Sequence, residues 1–169
     1  TGTGKTFLSA FDAKKFDGRV LFIVHSIDIL SQSKDAFEKV WAQAKLGLLT
    51  GEVKEHLHDS KVLFASKDSL RNPEYLSLFS PTEVDYIIID EVHHGQAPSY
   101  QAIIKHFQPR KFILGMTATP DRMDRKDIFE LFDYNKVFEY TLNDAIENGF
   151  LVPYTYYGLK DNIDYSKIR

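Results

Sequence analysis

No cysteine occurs in the 169 residues, which excludes a disulfide scaffold and thiolate metal sites and leaves a reducing compartment open. No apolar stretch approaches the roughly 20 residues that cross a bilayer, so no membrane partner is expected. The opening Thr1-Gly2-Thr3 has neither a charged leader nor an apolar signal region, and a cytoplasmic location is the expectation. A basic surplus is missing too: 21 Lys and Arg face 24 Asp and Glu, for a net charge of -3. The chain as a whole therefore lacks the charge that coats nucleic acid nonspecifically, and any such site has to be a local patch. Repeats, low-complexity tracts and long linkers are absent before about Lys160. What is present is a 43% hydrophobic, 14% aromatic chain, enough to build one compact domain around an apolar core.

Four short runs rich in Val, Ile, Leu and Phe stand out: Arg19 to His25, Lys61 to Ala65, Val84 to Asp90 and Lys111 to Met116. Continuous apolar runs of this length are what strands buried on both faces require. Between them lie helix-like stretches, Lys5 to Phe11, Ile29 to Ala44, Pro73 to Leu78 and Ser99 to His106. Strands alternating with helices imply an α/β fold, a parallel β-sheet flanked by helices on both faces. Further on, Thr141 and Asp144 have the spacing of a helix capping box with Asp in place of Glu, and Gly149 is placed as a helix stop. Leu151 to Leu159 is expected to form a last strand, and residues 160–169 the start of a connection to a further domain.

Three motifs carry chemistry. Thr1-Gly2-Thr3-Gly4-Lys5-Thr6 is the latter part of a phosphate loop of the form G-x-x-x-x-G-K-[ST], whose first glycine position falls before residue 1, so the chain is expected to be a piece of a longer protein. Gly2 and Gly4 let backbone N–H groups approach phosphate oxygens, and a helix beginning here offers its positive end. In that pattern Lys5 neutralises the β- and γ-phosphates and Thr6 ligates magnesium through its hydroxyl. A plain Gly/Thr-rich loop is the alternative.

The second motif, Asp90-Glu91-Val92-His93, ends an apolar strand, where parallel sheets present ligand-binding residues. Asp90 is suited to hold magnesium, usually through water, and Glu91 to orient and deprotonate a water attacking the γ-phosphate. His93 and His94 as metal ligands, or a pair of solvated acids after a strand, are the competing readings. The third, Thr117-Ala118-Thr119-Pro120, also follows an apolar strand. Its hydroxyls can bond to the acidic loop, though the same residues make an ordinary strand-end turn. The order of phosphate loop, acid pair and threonine pair, each at a strand end, is what separates the chemical reading from the ordinary one.

Taken together, GTGKT, DEVHH and GMTATP resemble motifs I, II and III of the superfamily two helicases in their DExH-box branch. VLFIVHS, LLTGE, FASKDSL, VDYIIIDEVHH and LGMTATPDR follow in the order found in bacterial DEAD/DEAH-type helicases grouped with type III restriction subunits. The resemblance implies a first RecA-like ATP-binding domain over residues 1–159, with ATP and Mg2+ bound in a cleft against a second RecA-like domain of the same protein. It implies phosphate binding by Gly2, Thr3, Gly4, Lys5 and Thr6, metal holding by Thr6 and Asp90, catalysis by Lys5, Asp90, Glu91 and His93, and coupling through His93, Thr117, Ala118 and Thr119. Nucleic-acid phosphate contacts are implied at His25, Ser26, Thr50, Gly51 and Ser66; such contacts position a strand without reading its sequence.

Ser26 stands where relatives often carry Arg or Thr, and Lys67-Asp68 where they often include Gln. Strand-end capping is the alternative for Ser26 and Ser66. The implied partner is nucleic acid, with DNA favoured over RNA because the resemblance is to restriction- and repair-type proteins. An RNA helicase and a nucleotide-dependent scaffold that does not hydrolyse ATP stay open, although Glu91 argues against the scaffold.

Overall fold

The structure, a computed structural model, describes residues 4–16, 18–92, 98–109, 111–118, 129–153 and 155. The chain divides into two compact units, Thr1–Val137 and Phe138–Arg169.

The first unit is built on a six-stranded sheet. Its strands are β1 (Val20–Val24), β2 (Leu46–Leu49), β3 (Lys54–Glu55), β4 (Val62–Ser66), β5 (Tyr86–Asp90) and β6 (Phe112–Met116), in the spatial order β3-β2-β4-β1-β5-β6. All pairings are parallel except that of β2 with β3. The three central strands, VLFIV, VLFAS and YIIID, are buried at every position, because helices cover both faces and no alternation with polar residues is needed.

Alternate residues of these strands feed two separate cores. On one face Val20, Phe22, Val24, Val62, Phe64, Tyr86 and Ile88 pack with Ala10 and Ala13 of α1 (Lys5–Lys15) and Leu30 and Phe37 of α2 (Ile27–Val40). On the other, Leu21, Ile23, Leu63, Ile87 and Ile89 pack with Leu70 of α3 (Lys67–Leu70) and with Tyr100, Ile103 and Phe107 of α5 (Pro98–Phe107). Tyr75 and Leu76 of α4 (Pro73–Leu76) rest against this second core.

The four expected strands are present, three with trimmed ends and the one expected from Lys61 to Ala65 shifted by one residue to Val62–Ser66, and β2, β3 and α3 are additions. Helix α2 starts two residues before the expected Ile29 and stops at Val40, with Trp41 N–H closing its last turn on Phe37 O at 2.7 Å. In the second unit, α6 (Leu142–Glu147) carries the expected capping box: Asp144 N–H donates to Thr141 Oγ1 at 3.1 Å, and Thr141 N–H to Asp144 Oδ2 at 2.8 Å. Gly149 follows with φ 73, the left-handed conformation that ends helices. The strand expected from Leu151 is not formed at residues 151–153 or 155. There the N–H groups of Phe150 and Leu151 turn back onto Ala145 O, at 2.8 and 3.0 Å, and wrap the chain around the helix end instead of extending it. The rest of that expectation lies outside the described residues.

Candidate nucleotide and nucleic-acid site

Parallel strands put their carboxyl ends on one edge of the sheet. The register fixes what stands there: Leu49 pairs with Ala65, Val24 with Ser66, Ile23 with Ile89 and Asp90 with Met116. Thr50, Ser66, His25, Asp90 with Glu91, and Thr117 therefore form a single rim, in that order across the sheet.

The β5–β6 half of the rim meets the start of α1. Gly4 precedes that helix in the left-handed conformation, φ 80 and ψ 18, which costs an L side chain about 1 kcal/mol and glycine almost nothing. The first turn of α1 contains no acid, while Lys14 and Lys15 occupy its last turn, so its positive pole is left available to an anion. Lys5 Nζ lies 4.0 Å from Glu91 Oε1. Thr6 is half-buried in the same turn, its backbone oxygen accepting from Ser9 Oγ at 2.8 Å.

Glu91 is held at φ 51, a strained conformation of the kind found at functional sites, and its N–H donates to Asp90 Oδ1 at 3.0 Å. Burial raises the pKa of Asp90. The Glu91 N–H opposes that rise, the Glu91 charge adds to it, and Lys5 and His25 offset part of it, leaving the carboxyl above its ordinary range. Thr117 is half-buried and Ala118 exposed just beyond Met116, the partner of Asp90. Gly2, Thr3, His93 and Thr119 lie outside the described residues.

The donor set fits magnesium. No group of three His, Cys, Asp or Glu gathers around a metal position among the described residues, and Mg2+ commonly takes one or two carboxylates and completes its shell with water and substrate phosphates. A buried carboxylate with a raised pKa, beside a helix start that offers a threonine hydroxyl, is such a partial set.

Two features of this half were not read from the sequence. Tyr86 Oη donates to Asp12 Oδ2 at 2.6 Å, tying α1 to β5 and so fixing Lys5 relative to Asp90 and Glu91. Burial together with Asp12 pushes that phenol well above its ordinary pKa. His25 is the second, since its field reaches Asp90 although the sequence reading placed it only among strand contacts.

The β2–β4–β1 half opens on a cavity of about 330 Å3 lined by Ile27, Gly51, Ser66, Asp68, Ser69, Asn72 and Tyr75. Of the expected strand contacts, Gly51 and Ser66 line it. Ser66 Oγ also accepts from Ser69 N–H at 3.1 Å and pairs with Ser69 Oγ at 2.8 Å, so the capping alternative holds for it. Ser26 occupies the N-cap position of α2 without a side-chain cap bond. Thr50 is buried, and its hydroxyl accepts from Val53 N–H at 2.9 Å and Glu52 N–H at 3.3 Å; it shapes the β2–β3 turn that presents Gly51. Tyr75 was not anticipated. Its hydroxyl donates to Gly51 O at 3.4 Å, and Lys54 Nζ sits 4.1 Å from its ring centroid, a cation–π contact that props the turn against α4.

The chain is 35% identical over 159 residues to the "51.5 kDa protein" of a Lactococcus phage, covering 90% of this chain and 29% of that protein. It is 28% identical over 167 residues to the "Type I restriction enzyme EcoAI endonuclease subunit" of Escherichia coli, covering 91% of this chain and 20% of the relative. The chain thus spans under a third of the length of these curated relatives. The helicase domain of Hef from Pyrococcus furiosus superposes with a TM-score of 0.65 at 22% identity, over 77% of this chain and 31% of Hef, and shares its RecA-like fold. Residues 1–122 match the family described as "Type III restriction enzyme, res subunit", so the chain belongs to that family and is a RecA-like domain of the superfamily two helicases.

Proposed function

We propose that this chain is the ATP-binding half of a motor that hydrolyses ATP to move along DNA. The observation that carries the proposal is the single rim, on which Lys5, Asp90 and Glu91 converge at one end while the cavity beside Gly51 and Ser66 opens at the other. The helix start and Lys5 would hold the β- and γ-phosphates. Thr6 and Asp90 would hold Mg2+, which when bound neutralises charge on the phosphates. Glu91, 4.0 Å from Lys5 Nζ, would accept the proton of the attacking water.

His25, Ser26, Gly51 and Ser66 would grip strand phosphates, with Thr50 shaping the turn. Thr117 and Ala118, which follow Met116, the register partner of Asp90, would relay the nucleotide state. A second RecA-like domain of the same protein would close over the ATP. The restriction-enzyme family and the restriction-enzyme relative favour DNA over RNA.

The test is steady-state ATP turnover by the full-length protein with single-stranded DNA, duplex DNA and RNA. DNA stimulation that disappears in Lys5→Ala supports the reading. Stimulation by RNA alone replaces DNA as the track, and no stimulation by any polymer rejects the motor.

A further inference from the structure

Tyr100 is wholly buried in the core beneath the rim, and its hydroxyl has no hydrogen-bond partner among the described residues. A buried hydroxyl left without a partner costs about 1–3 kcal/mol, so a tyrosine held this way calls for an explanation that phenylalanine would not. Its surroundings supply one. Tyr100 is on α5, which packs against α3, and it shares a core with Leu70 of α3 and with Ile89 and Val92 on either side of Asp90 and Glu91. Besides burial, the charges of Asp68 and Asp90 both act on the phenol, and its pKa is pushed up to about 12. Asp68 lines the cavity on the β2–β4 side of the rim, and Asp90 ends β5 on the nucleotide side. The phenol therefore feels the charge of an acid from each half.

We propose that Tyr100 is a positioning residue that joins the two halves, donating its hydroxyl proton to Asp68 when a strand fills the cavity and so locking α3 to α5. The inference rests on the motor reading above. Among the described residues Asp68 pairs with Lys67 at 3.3 Å and Arg71 at 3.8 Å, both contacts partly exposed, and α3 is a single turn capped by Ser66. The Asp68 side chain is 61% exposed and can shift at little cost, while Leu70 of the same turn is buried in the core. Once α3 and α5 move together, occupancy of the cavity bears on the core beneath Asp90 and Glu91. This gives two sites and one element whose equilibrium both bias, which is what coupling requires.

The experiment compares Tyr100→Phe with the wild-type full-length protein, following ATP turnover with and without single-stranded DNA, oligonucleotide affinity and thermal unfolding. The variant is expected to unfold no earlier than wild type, to keep its unstimulated turnover and its DNA affinity, and to lose about fivefold or more of the DNA stimulation, within the usual range of coupling energies. Adding Asp68→Asn to Tyr100→Phe is expected to cause no further loss of stimulation, since the two groups act as one pair. Full stimulation in Tyr100→Phe overturns the proposal, as does an equal fall in unstimulated turnover, which would place the hydroxyl in the fold or the chemistry. A wild-type protein without stimulation by any polymer instead rejects the motor reading on which the inference stands.

Discussion

At the residue scale the tension is greatest at Asp90. The residue is 7% exposed, and its carboxyl stands beside Glu91 and has a raised pKa. An acid whose pKa is higher in the fold than in the unfolded chain favours folding when protonated. Its contribution is fully present below the unfolded value, near 4, and is lost as pH rises through the folded one. Asp90→Asn keeps an oxygen to accept from Glu91 N–H and removes the charge. The melting temperature at pH 7 is therefore expected to rise, by about 2–4 °C for each kcal/mol recovered in a domain of this size, while ATP turnover is lost. Thermal unfolding of both proteins from pH 4 to 8 checks this, and curves that stay parallel would contradict it. The meeting of Lys5, Asp90 and Glu91 was legible in the sequence because each stands at a strand or helix end, which the order of elements places. Asp12, Tyr86 and Tyr100 were not, because polar groups inside helix and strand patterns acquire meaning only from the partners the fold brings.

At the element scale, the end of the sheet opposite the rim is fastened by Arg19. Its guanidinium donates to Ser60 O at 3.1 Å, to Leu57 O and to Glu83, and its N–H donates to Asp85 Oδ2 at 2.9 Å. The start of β1, the β3–β4 loop and the approach to β5 are thus tied together. Burial would raise the pKa of Glu83, but hydrogen bonds from His58, Arg19 and the Ser80 N–H hold it below its ordinary value. A depressed acid stabilises the fold above its unfolded pKa, and that stability is lost as pH falls through the folded value. Arg19→Met is expected to cost about 2–3 kcal/mol near neutrality, less than a fully buried pair because both side chains keep some water. It should also flatten the acid side of the stability profile below about pH 4.5. Denaturant unfolding at pH 3 to 7 measures both effects, and a loss independent of pH would leave only packing as the cause.

The same scale explains the unread strand β2. Gly47 weakens any strand pattern in LGLL, yet a Cβ there would come 2.7 Å from His56 O and 2.7 Å from Ser60 Oγ. The glycine serves the close approach of a loop far along the chain, which local pattern does not encode. The long apolar strands needed no such information, since burial on both faces is written in their composition. Residues 151–153 misled for the opposite reason: they follow a helix stop whose backbone bonds fold the chain back onto Ala145.

At the scale of the whole molecule, the charges that the described residues place on the rim are unequal to the chemistry proposed for them. Lys5 is the described cation placed against Glu91, and the net charge of the chain is -3. Phosphoryl transfer develops negative charge that enzymes of this kind meet with a further arginine, worth on the order of a thousandfold or more in rate. In the proposed arrangement that group comes from the second RecA-like domain. The chain alone is therefore expected to bind ATP with Mg2+ and turn it over about a thousandfold more slowly than the full-length protein saturated with DNA. Glu91→Gln in the full-length protein should keep ATP binding and lose turnover. Titration with a fluorescent ATP analogue alongside a phosphate-release assay separates the two properties. Brisk turnover by the chain alone would mean that its own residues complete the site, and unchanged turnover in Glu91→Gln would remove Glu91 from the chemistry and return the chain to the class of nucleotide-dependent scaffolds.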